Sequence, residues 1–324
     1  MVARVPPWRH AKHRRVLIQL LAAALVGLAA WGLVHNVGLN VTARGLRTGF
    51  GFLGDRAGFS ISPALIDFSE SSTFGRAFTV GLLNTLLVAV IAIPLASLLG
   101  LVVGIAALAP NKLLARLATV YVETFRNIPP LLQLFFIYGV ALRALPPARQ
   151  SWSLFDLVFL NNRGLLIPWP GAGVPRLDGF NFDGGVSLAP ELVALVLTLT
   201  LYQAAYVAET VRGGIAAIAA GQGEAALALG MRRSQVLRHV ILPQALRLML
   251  PPLATIYVNI VKGSSLAAAI AYPDLIAVFA GTALNIIGHA IEIMLLTGSV
   301  YLAISFVIAL LLGLYEANLA GRAR

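Results

Sequence analysis

The stretch EAALALGMRRSQVLRHVILPQALRLMLPP, Glu224 to Pro252, is polar and helix-forming, although it lies between long apolar segments. Ala and Leu dominate up to Leu229, and Gly230 stands where helices commonly end. Glu224 would occupy the first turn, where the helix dipole favours an acid. The pattern therefore predicts a separate helix of about two turns. So short a helix is unstable alone, which indicates a docking surface for another protein.

The residues that follow predict a stiff projecting loop. Ser234 is placed to cap a second helix, in which apolar residues recur at helical spacing from Val236 to Ile241. Pro243 and the pair Pro251 and Pro252 predict a break or bend beyond it, because proline removes a backbone donor.

The composition of the whole chain is that of a membrane protein. Of its 324 residues, 59% are hydrophobic and 11% are charged, whereas about 25% are charged in a soluble domain. Six apolar runs are long enough to cross about 30 Å of hydrocarbon, which predicts an all-α integral membrane protein with about six transmembrane helices. The runs are residues 16–34, 78–108, 118–140, 188–208, 248–271 and 293–314.

The net charge of +11 bears on orientation, because basic residues concentrate in cytoplasmic segments of membrane proteins. Their distribution predicts that both termini are cytoplasmic. The expected organisation is a basic tail at 1–15, an anchor helix at 16–34, a periplasmic loop at 35–77 and a transmembrane domain at 78–324, with a periplasmic insert at 141–187 and a cytoplasmic loop at 211–247. The turn-rich insert predicts an ordered external cap, with a disordered linker as the alternative.

Three stretches resemble permease subunits of binding-protein-dependent ABC importers. Glu224-Ala225-Ala226, then Gly230, then VILP at 240–243 match the EAA loop of that family, with Val where Ile is usual. YVETFRNIPPLLQLFFIYG at 121–139 and LPPLATIYVNIVKGSSLAAAIAYPDL at 250–275 resemble its polar amino acid branch.

Shorter elements resemble permeases for general L-amino acid uptake: GFGFL, NNRGLLIPWP and GFNFDGG. Members of that subgroup often carry further membrane-spanning sequence between the PWP and GFNF elements, whereas here only GAGVPRLD joins them. The loss of a pair of spans preserves the topology.

The resemblance implies a type I-like ABC importer fold and a set of partners. In such permeases the EAA helix is the coupling helix, which sits in a groove of the ATPase subunit. The implied coupling residues are Glu224, Ala225, Ala226, Gly230, Leu242 and Pro243. The implied partners are two ATPase subunits, a homologous second permease or a second copy, and a periplasmic amino-acid-binding protein, assembled in the bacterial inner membrane. An ordinary amphipathic loop is the alternative interpretation of the stretch.

The sequence holds no ATP-binding motif of its own. The P-loop needs a lysine after a glycine, and none of the lysines, Lys12, Lys112 and Lys262, follows one. We therefore expect ATP to bind to partner subunits and no cofactor to bind to this chain. The sequence has no cysteine and no grouping of residues typical of a metal site or a catalytic set, so we expect no enzyme activity.

Ionisable groups at bilayer depth are costly, so those within the apolar runs are candidates for the substrate pathway. Pro129 and Pro130 predict a break in the third run, which exposes backbone groups as transporters do. Glu123 and Arg126 can pair at their spacing of three residues. The candidate residues are Glu123, Arg126, Asn127, Gln133, Asn259, Lys262, Ser264 and Ser265.

A zwitterionic amino acid needs a cation for its carboxylate and an acceptor for its ammonium group. Arg126 or Lys262 meets the first need, and Glu123 or Glu209 the second. A purely structural role for each charge stays open. Other polar or small residues favour helix packing over transport, namely Tyr202, Gln203, Tyr206 and the pair Gly100 and Gly104.

Two other functions remain open at this stage. An ion-driven secondary amino acid transporter would work alone and would need no docking helix. A membrane anchor without transport activity would leave the charged groups in the apolar runs unexplained.

Overall fold

The computed structural model describes residues 11–43 and 48–321, which form two units divided between Phe50 and Gly51. The first unit contains helix α1, Ala11–Ala43, whose segment Arg15–Asn40 is long and apolar enough to cross a membrane. It includes the predicted anchor at 16–34. Residues 1–10 of the predicted basic tail lie outside the described residues.

The second unit is mainly helical and includes three short segments of π-helix. Its α-helices are α2 Phe74–Ala107, α3 Lys112–Asn127, α4 Pro130–Phe136, α5 Pro190–Ala216, α6 Ala220–Ala228, α7 Arg233–Val236, α8 Leu242–Gly263, α9 Leu284–Ile287 and α10 Ala290–Gly321. The π-helical segments are Ile137–Leu142, Leu237–Ile241 and Ile276–Ala283.

The predicted six apolar runs correspond to five long apolar helical segments and one bent pair. The long segments are Arg15–Asn40, Phe74–Ala107, Pro190–Ala216, Arg233–Ile270 and Ala290–Asn318. The third run is the bent pair, in which Lys112–Asn127 meets Pro130–Leu142 at 100°. The class of a helical membrane protein is thereby confirmed, and the predicted break at Pro129 and Pro130 is present.

Two glycines let α2 and α5 come into close contact. A Cβ atom added at Gly100 would lie 2.4 Å from Val207 Cβ, and one at Gly104 would lie 2.7 Å from the carbonyl oxygen of Ala208. Both distances are shorter than atoms tolerate, so only glycine fits. The predicted role of this pair in helix packing is confirmed.

The outward faces of the long helices are apolar. Val90 and Leu98 of α2 and Leu302 of α10 are each more than 60% exposed. Exposed aliphatic side chains at this density are costly in water and suit contact with lipid tails.

The segment before α2 packs against the later part of the chain. Phe52 is buried and its ring lies 6.5 Å from that of Phe279 and 4.9 Å from that of His289. Asn84 of α2 donates from Nδ2 to the carbonyl oxygens of Pro63 and Pro273, both at 2.9 Å. The helical segment from 276 to 287, which the sequence did not predict, takes part in this packing.

The insert at 141–187 folds into short strands, which the all-helical prediction did not include. The strands are β1 Trp152–Leu154, β2 Val158–Asn161, β3 Gly164–Ile167, β4 Arg176–Asp178, β5 Asn181–Asp183 and β6 Val186–Leu188. One antiparallel sheet has the order β1-β2-β3-β6, and β4 pairs with β5. The residues GAGVPRLD thus lead into a hairpin. The insert is ordered, and the linker alternative is wrong.

Two local predictions in the opening stretch are wrong. Helix α8 continues through Pro251 and Pro252 without a break. Ser234 does not cap α7, because Arg232 is the N-cap residue and its backbone N–H donates to Gln235 Oε1 at 2.8 Å. Gln235, at the third helical position, thus accepts from the N–H of the N-cap residue, as the corresponding residue of a capping box does.

Candidate functional site

Helix α6 has the predicted end but a different beginning. Gly230 adopts φ +84°, its N–H donates to Leu227 O at 2.9 Å, and the N–H of Met231 donates to Ala226 O at 3.2 Å. This pair of bonds is a Schellman motif, which only a residue free to take a positive φ forms without strain. The helix begins at Ala220, so Glu224 lies in its second turn and not in its first.

The faces of α6 separate a packing residue from exposed ones. Ala226 is 6% exposed, while Glu224 and Ala225 are exposed. Glu224 makes no hydrogen bond or ion pair with any described residue. Leu227 and Leu229 are 45% and 85% exposed. An unpaired acid and two exposed leucines, on and directly after one short helix, fit a surface that another protein covers.

A hydrogen bond ties α6 to α8. Gln244 of α8 donates from Nε2 to Gln222 Oε1 of α6 at 2.5 Å and to the carbonyl oxygen of Val240 at 2.8 Å. The other predicted coupling residues, Leu242 and Pro243, form the start of α8. The two helices are thus linked by a side-chain hydrogen bond as well as by the chain between them.

The break between α3 and α4 is stabilised by a side chain. Pro130 is the first residue of α4, where a missing N–H costs nothing, and Ile128 is extended as residues before proline prefer. Gln133 is 6% exposed and donates from Nε2 to the carbonyl oxygens of Phe125 and Ile128, at 3.0 and 2.8 Å. The structure thus gives Gln133, a predicted pathway residue, a structural role.

A cavity of about 360 Å³ lies beside the break, between α3, α5 and α8. We call it the Arg126 pocket, and its lining residues are Arg126, Tyr206, Glu209, Thr210, Pro252, Thr255, Ile256 and Asn259. The volume lies within the range of small-molecule sites. Of the predicted pathway residues, the structure brings Arg126 and Asn259 together here.

Arg126 is positioned by an aromatic ring. Its guanidinium carbon lies 5.1 Å from the centroid of the Tyr206 ring, a cation–π arrangement. Tyr121, on the same helix, donates its hydroxyl to the carbonyl oxygen of Leu201 at 2.8 Å and so fixes α3 against α5. Arg126 makes no hydrogen bond or ion pair within the described part of the chain. Its donors are available to a carboxylate.

Glu209 of the same pocket is already bonded. Arg212 donates from Nε to Glu209 Oε2 at 2.9 Å and from NH2 to Oε1 at 2.5 Å. Both oxygens therefore accept from one guanidinium group, whose positive charge offsets that of Glu209 and weakens its attraction for an ammonium group. The sequence did not predict this pairing.

The other candidates lie outside the pocket. Glu123 and Arg126 do not pair; instead Asn127 donates from Nδ2 to Glu123 Oε2 at 3.2 Å. Lys262 is exposed one turn beyond Asn259, and the hydroxyl of Ser265 donates to the carbonyl oxygen of Lys262 at 2.8 Å. The side chains of four candidates do not line the cavity, namely Glu123, Asn127, Lys262 and Ser265.

Ser264 does not line the Arg126 pocket but belongs to a separate, buried polar cluster. Its hydroxyl lies 3.3 Å from Asp274 Oδ2, as does that of Tyr301, and the N–H of Ala277 donates to Asp274 Oδ1 at 2.8 Å. Asp274 follows the segment Arg233–Ile270, and its burial raises the pKa of the carboxyl group to about 6. The cluster joins α10 to the connection after α8.

Sequence reasoning missed the aromatic and hydroxyl residues of the pocket. Tyr206 was assigned to helix packing, and Thr210 and Thr255 carried no signal because single hydroxyl residues in apolar helices are common. A larger cavity of about 450 Å³, next to residues 59–62, is lined by no charged side chain. The Arg126 pocket therefore suits a charged ligand better.

A protein-family model matches most of the chain. Residues 92–321 match the model of the family described as binding-protein-dependent transport system inner membrane component. The matched range includes α6, the break and every residue of the pocket.

Three curated relatives are similar over most of the chain. A putative amino-acid ABC transporter permease, YhdX of Escherichia coli K12, is 45% identical over 95% of this chain and 94% of its own length. The general L-amino acid transport system permease AapQ of Rhizobium johnstonii is 40% identical over 95% and 93%. The glutamate/glutamine/aspartate/asparagine transport system permease BztB of Rhodobacter capsulatus is 33% identical over 95% and 94%.

The alignment with YhdX also shows a difference in length. The alignment spans 371 positions but covers 95% of the 324 residues of this chain, about 308, which leaves about 63 positions of YhdX without a counterpart. YhdX thus contains residues within the aligned region that this chain lacks.

Solved structures share the fold. The chain matches a crystal structure of an amino acid ABC transporter with histidines at a TM-score of 0.56 and 26% identity, over 76% of this chain and 95% of the other. It matches an inward-facing MetNI methionine ABC transporter at a TM-score of 0.53 and 18% identity, over 76% and 97%. The second likeness concerns the fold alone.

Proposed function

The chain belongs to the family of binding-protein-dependent transport system inner membrane components, and on that premise we propose that it is the permease subunit of an ATP-driven amino acid importer. The observation that carries the proposal is a continuous connection from α6 to α8. Glu224 of α6 has no partner within the described residues, Gln222 of α6 bonds to Gln244 of α8, and α8 lines the Arg126 pocket.

The proposal assigns partners to the exposed surfaces. Two ATPase subunits bind ATP, and one of them receives α6, whose exposed residues Glu224, Leu227 and Leu229 form the contact. A homologous second permease, or a second copy of this chain, completes the pathway. A periplasmic binding protein delivers the amino acid. Both termini and α6 lie on the cytoplasmic side, in agreement with the distribution of basic residues.

The mechanism is alternating access driven by ATP. ATP binding closes the ATPase subunits, α6 moves with them, and the bond between Gln222 and Gln244 transmits the movement to α8. Because Pro252, Thr255 and Asn259 belong to α8, the same movement reshapes the Arg126 pocket. Arg126 binds the substrate carboxylate, which is the group that all amino acids share.

The coupling assignment predicts the effect of reversing one charge. Glu224→Lys abolishes amino acid uptake by the complete importer in proteoliposomes, while membrane insertion stays normal, because Glu224 stabilises nothing within the described structure. Glu70→Lys, the same charge change at an exposed residue far from α6 in sequence, is the control and retains uptake. Normal uptake by Glu224→Lys would show that α6 does not couple.

The ion-driven alternative gains no support from the comparisons, in which the relatives and structures reported are ABC transporter proteins. Uptake by this chain alone under an ion gradient, without an ATPase, would instead support an ion-driven transporter.

A further inference from the structure

The charges around the Arg126 pocket do not cancel. Arg126 and Glu209 line it, and Arg212 lies behind Glu209 with two hydrogen bonds to its carboxylate. Arg126 also acts electrostatically on Glu209. Two guanidinium groups therefore face one carboxylate, which leaves a net charge of about +1 beside the cavity.

The single acid of the pocket is committed to Arg212. The bidentate arrangement fixes the geometry of the pair, although both side chains are more than a third exposed. Arg212 offsets the charge of Glu209 and so weakens the attraction of this carboxylate for an incoming ammonium group. Arg126, in contrast, has its ring contact with Tyr206 and no hydrogen bond within the described residues.

Neighbouring charges do not alter this balance. Glu123 lies one turn before Arg126, but it does not line the pocket and accepts a hydrogen bond from Asn127. Lys262 lies one turn beyond Asn259 and is also outside the lining. The first is negative and the second positive, so their contributions at a distance oppose each other.

We propose that the ion pair between Glu209 and Arg212 sets the charge selectivity of the Arg126 pocket, which accepts amino acids with anionic or neutral side chains and disfavours cationic ones. Arg126 binds a carboxylate, and Arg212 acts as a positioning residue that withholds Glu209 from the substrate. Removal of Arg212 frees a carboxylate in the cavity, and removal of Glu209 leaves both guanidinium groups without an acid. Removal of Arg212 therefore lowers the preference for glutamate over lysine, and removal of Glu209 raises it.

The inference rests on the proposed function and is tested by direct binding. The permease complex with its ATPase subunits is placed in nanodiscs without the binding protein, so that only the membrane site is measured. Radiolabelled glutamate, glutamine and lysine are the probes. We expect the wild-type complex to bind glutamate at least about tenfold more tightly than lysine, as one uncompensated charge in a protein environment implies.

Variants separate the role of the ion pair from a loss of folding. Arg212→Gln lowers the glutamate preference by about tenfold or reverses it, and Glu209→Gln increases it. The double variant Glu209→Gln/Arg212→Gln returns toward the wild-type preference, because its net charge is again that of Arg126. Arg116→Gln, an exposed arginine of α3 outside the pocket, leaves the preference unchanged.

The outcomes distinguish this inference from the function on which it rests. Binding of none of the three amino acids to a stably assembled wild-type complex contradicts the proposed substrate class. Equal binding of glutamate and lysine, or no shift in the assembled Arg212→Gln and Glu209→Gln complexes, overturns the charge selectivity and leaves the importer assignment standing.

Discussion

Helix α6 and the Arg126 pocket both expose charged groups that lack hydrogen bonds, but their surroundings differ. Glu224 stands on a convex helix beside exposed leucines, whereas Arg126 faces a cavity of about 360 Å³ and is held over the ring of Tyr206. A convex surface with apolar residues fits a protein, and a cavity of that size fits a small molecule. On this difference rests our proposal that α6 couples to the ATPase and the Arg126 pocket binds the substrate.

The largest effect is expected when the positive charge of the Arg126 pocket is removed. Arg126→Gln reduces uptake by at least about tenfold, because the guanidinium group is the available carboxylate partner. Initial rates of uptake over a range of substrate concentrations in proteoliposomes measure the change. Lys262→Gln, which removes a cation outside the pocket, is the control and retains more than half of the activity. Equal losses in the two variants would argue against a localised site.

A second prediction concerns the break that places Arg126. Gln133→Leu leaves the carbonyl oxygens of Phe125 and Ile128 without their donor and lowers the free energy of unfolding by about 1 to 2 kcal/mol. Thermal denaturation of the purified permease complex gives the change. Gln203→Leu is the matched control, because Gln203 is equally buried and makes no hydrogen bond within the described residues. A similar loss in both variants would contradict the role of Gln133.

The smallest predicted effect concerns the end of α6. Gly230→Ala strains a backbone with φ +84° by about 1 kcal/mol and loosens the last turn, although the added Cβ meets no atom within 4 Å. The loosening of the last turn is measured as faster hydrogen exchange of the α6 amides. Gly221→Ala, inside the same helix with open space around it, slows that exchange, because Ala favours helices over Gly. If both variants changed the exchange rate in the same direction, the Schellman motif at the end of α6 would be contradicted.

The two proline pairs show how far sequence reasoning reaches. Pro129 and Pro130 break a helix as predicted, whereas α8 continues through Pro251 and Pro252, where a break or a bend was predicted. The first pair is followed by Gln133, whose amide stabilises the freed carbonyl groups. Proline predicts the lost hydrogen bond, but the partner that replaces it depends on side-chain geometry that composition does not contain.

The same limit applies to the site. The spacing of apolar residues located the spans, and the position of Gly230 located the end of α6, because both depend on local backbone preferences. The pairing of Glu209 with Arg212 and the approach of Tyr206 to Arg126 depend on how α3, α5 and α8 pack. Neither was predicted, and the expected pairing of Glu123 with Arg126 was wrong.

The most direct test of the account is the number of amino acid molecules transported per ATP hydrolysed, measured in the same proteoliposomes for the wild type, Glu224→Lys and Arg126→Gln. The account predicts that Glu224→Lys loses stimulation of ATP hydrolysis by the loaded binding protein, whereas Arg126→Gln retains that stimulation and transports at least about tenfold less per ATP. A wild-type ratio in Arg126→Gln, or normal stimulation in Glu224→Lys, would contradict the separation of substrate binding from coupling.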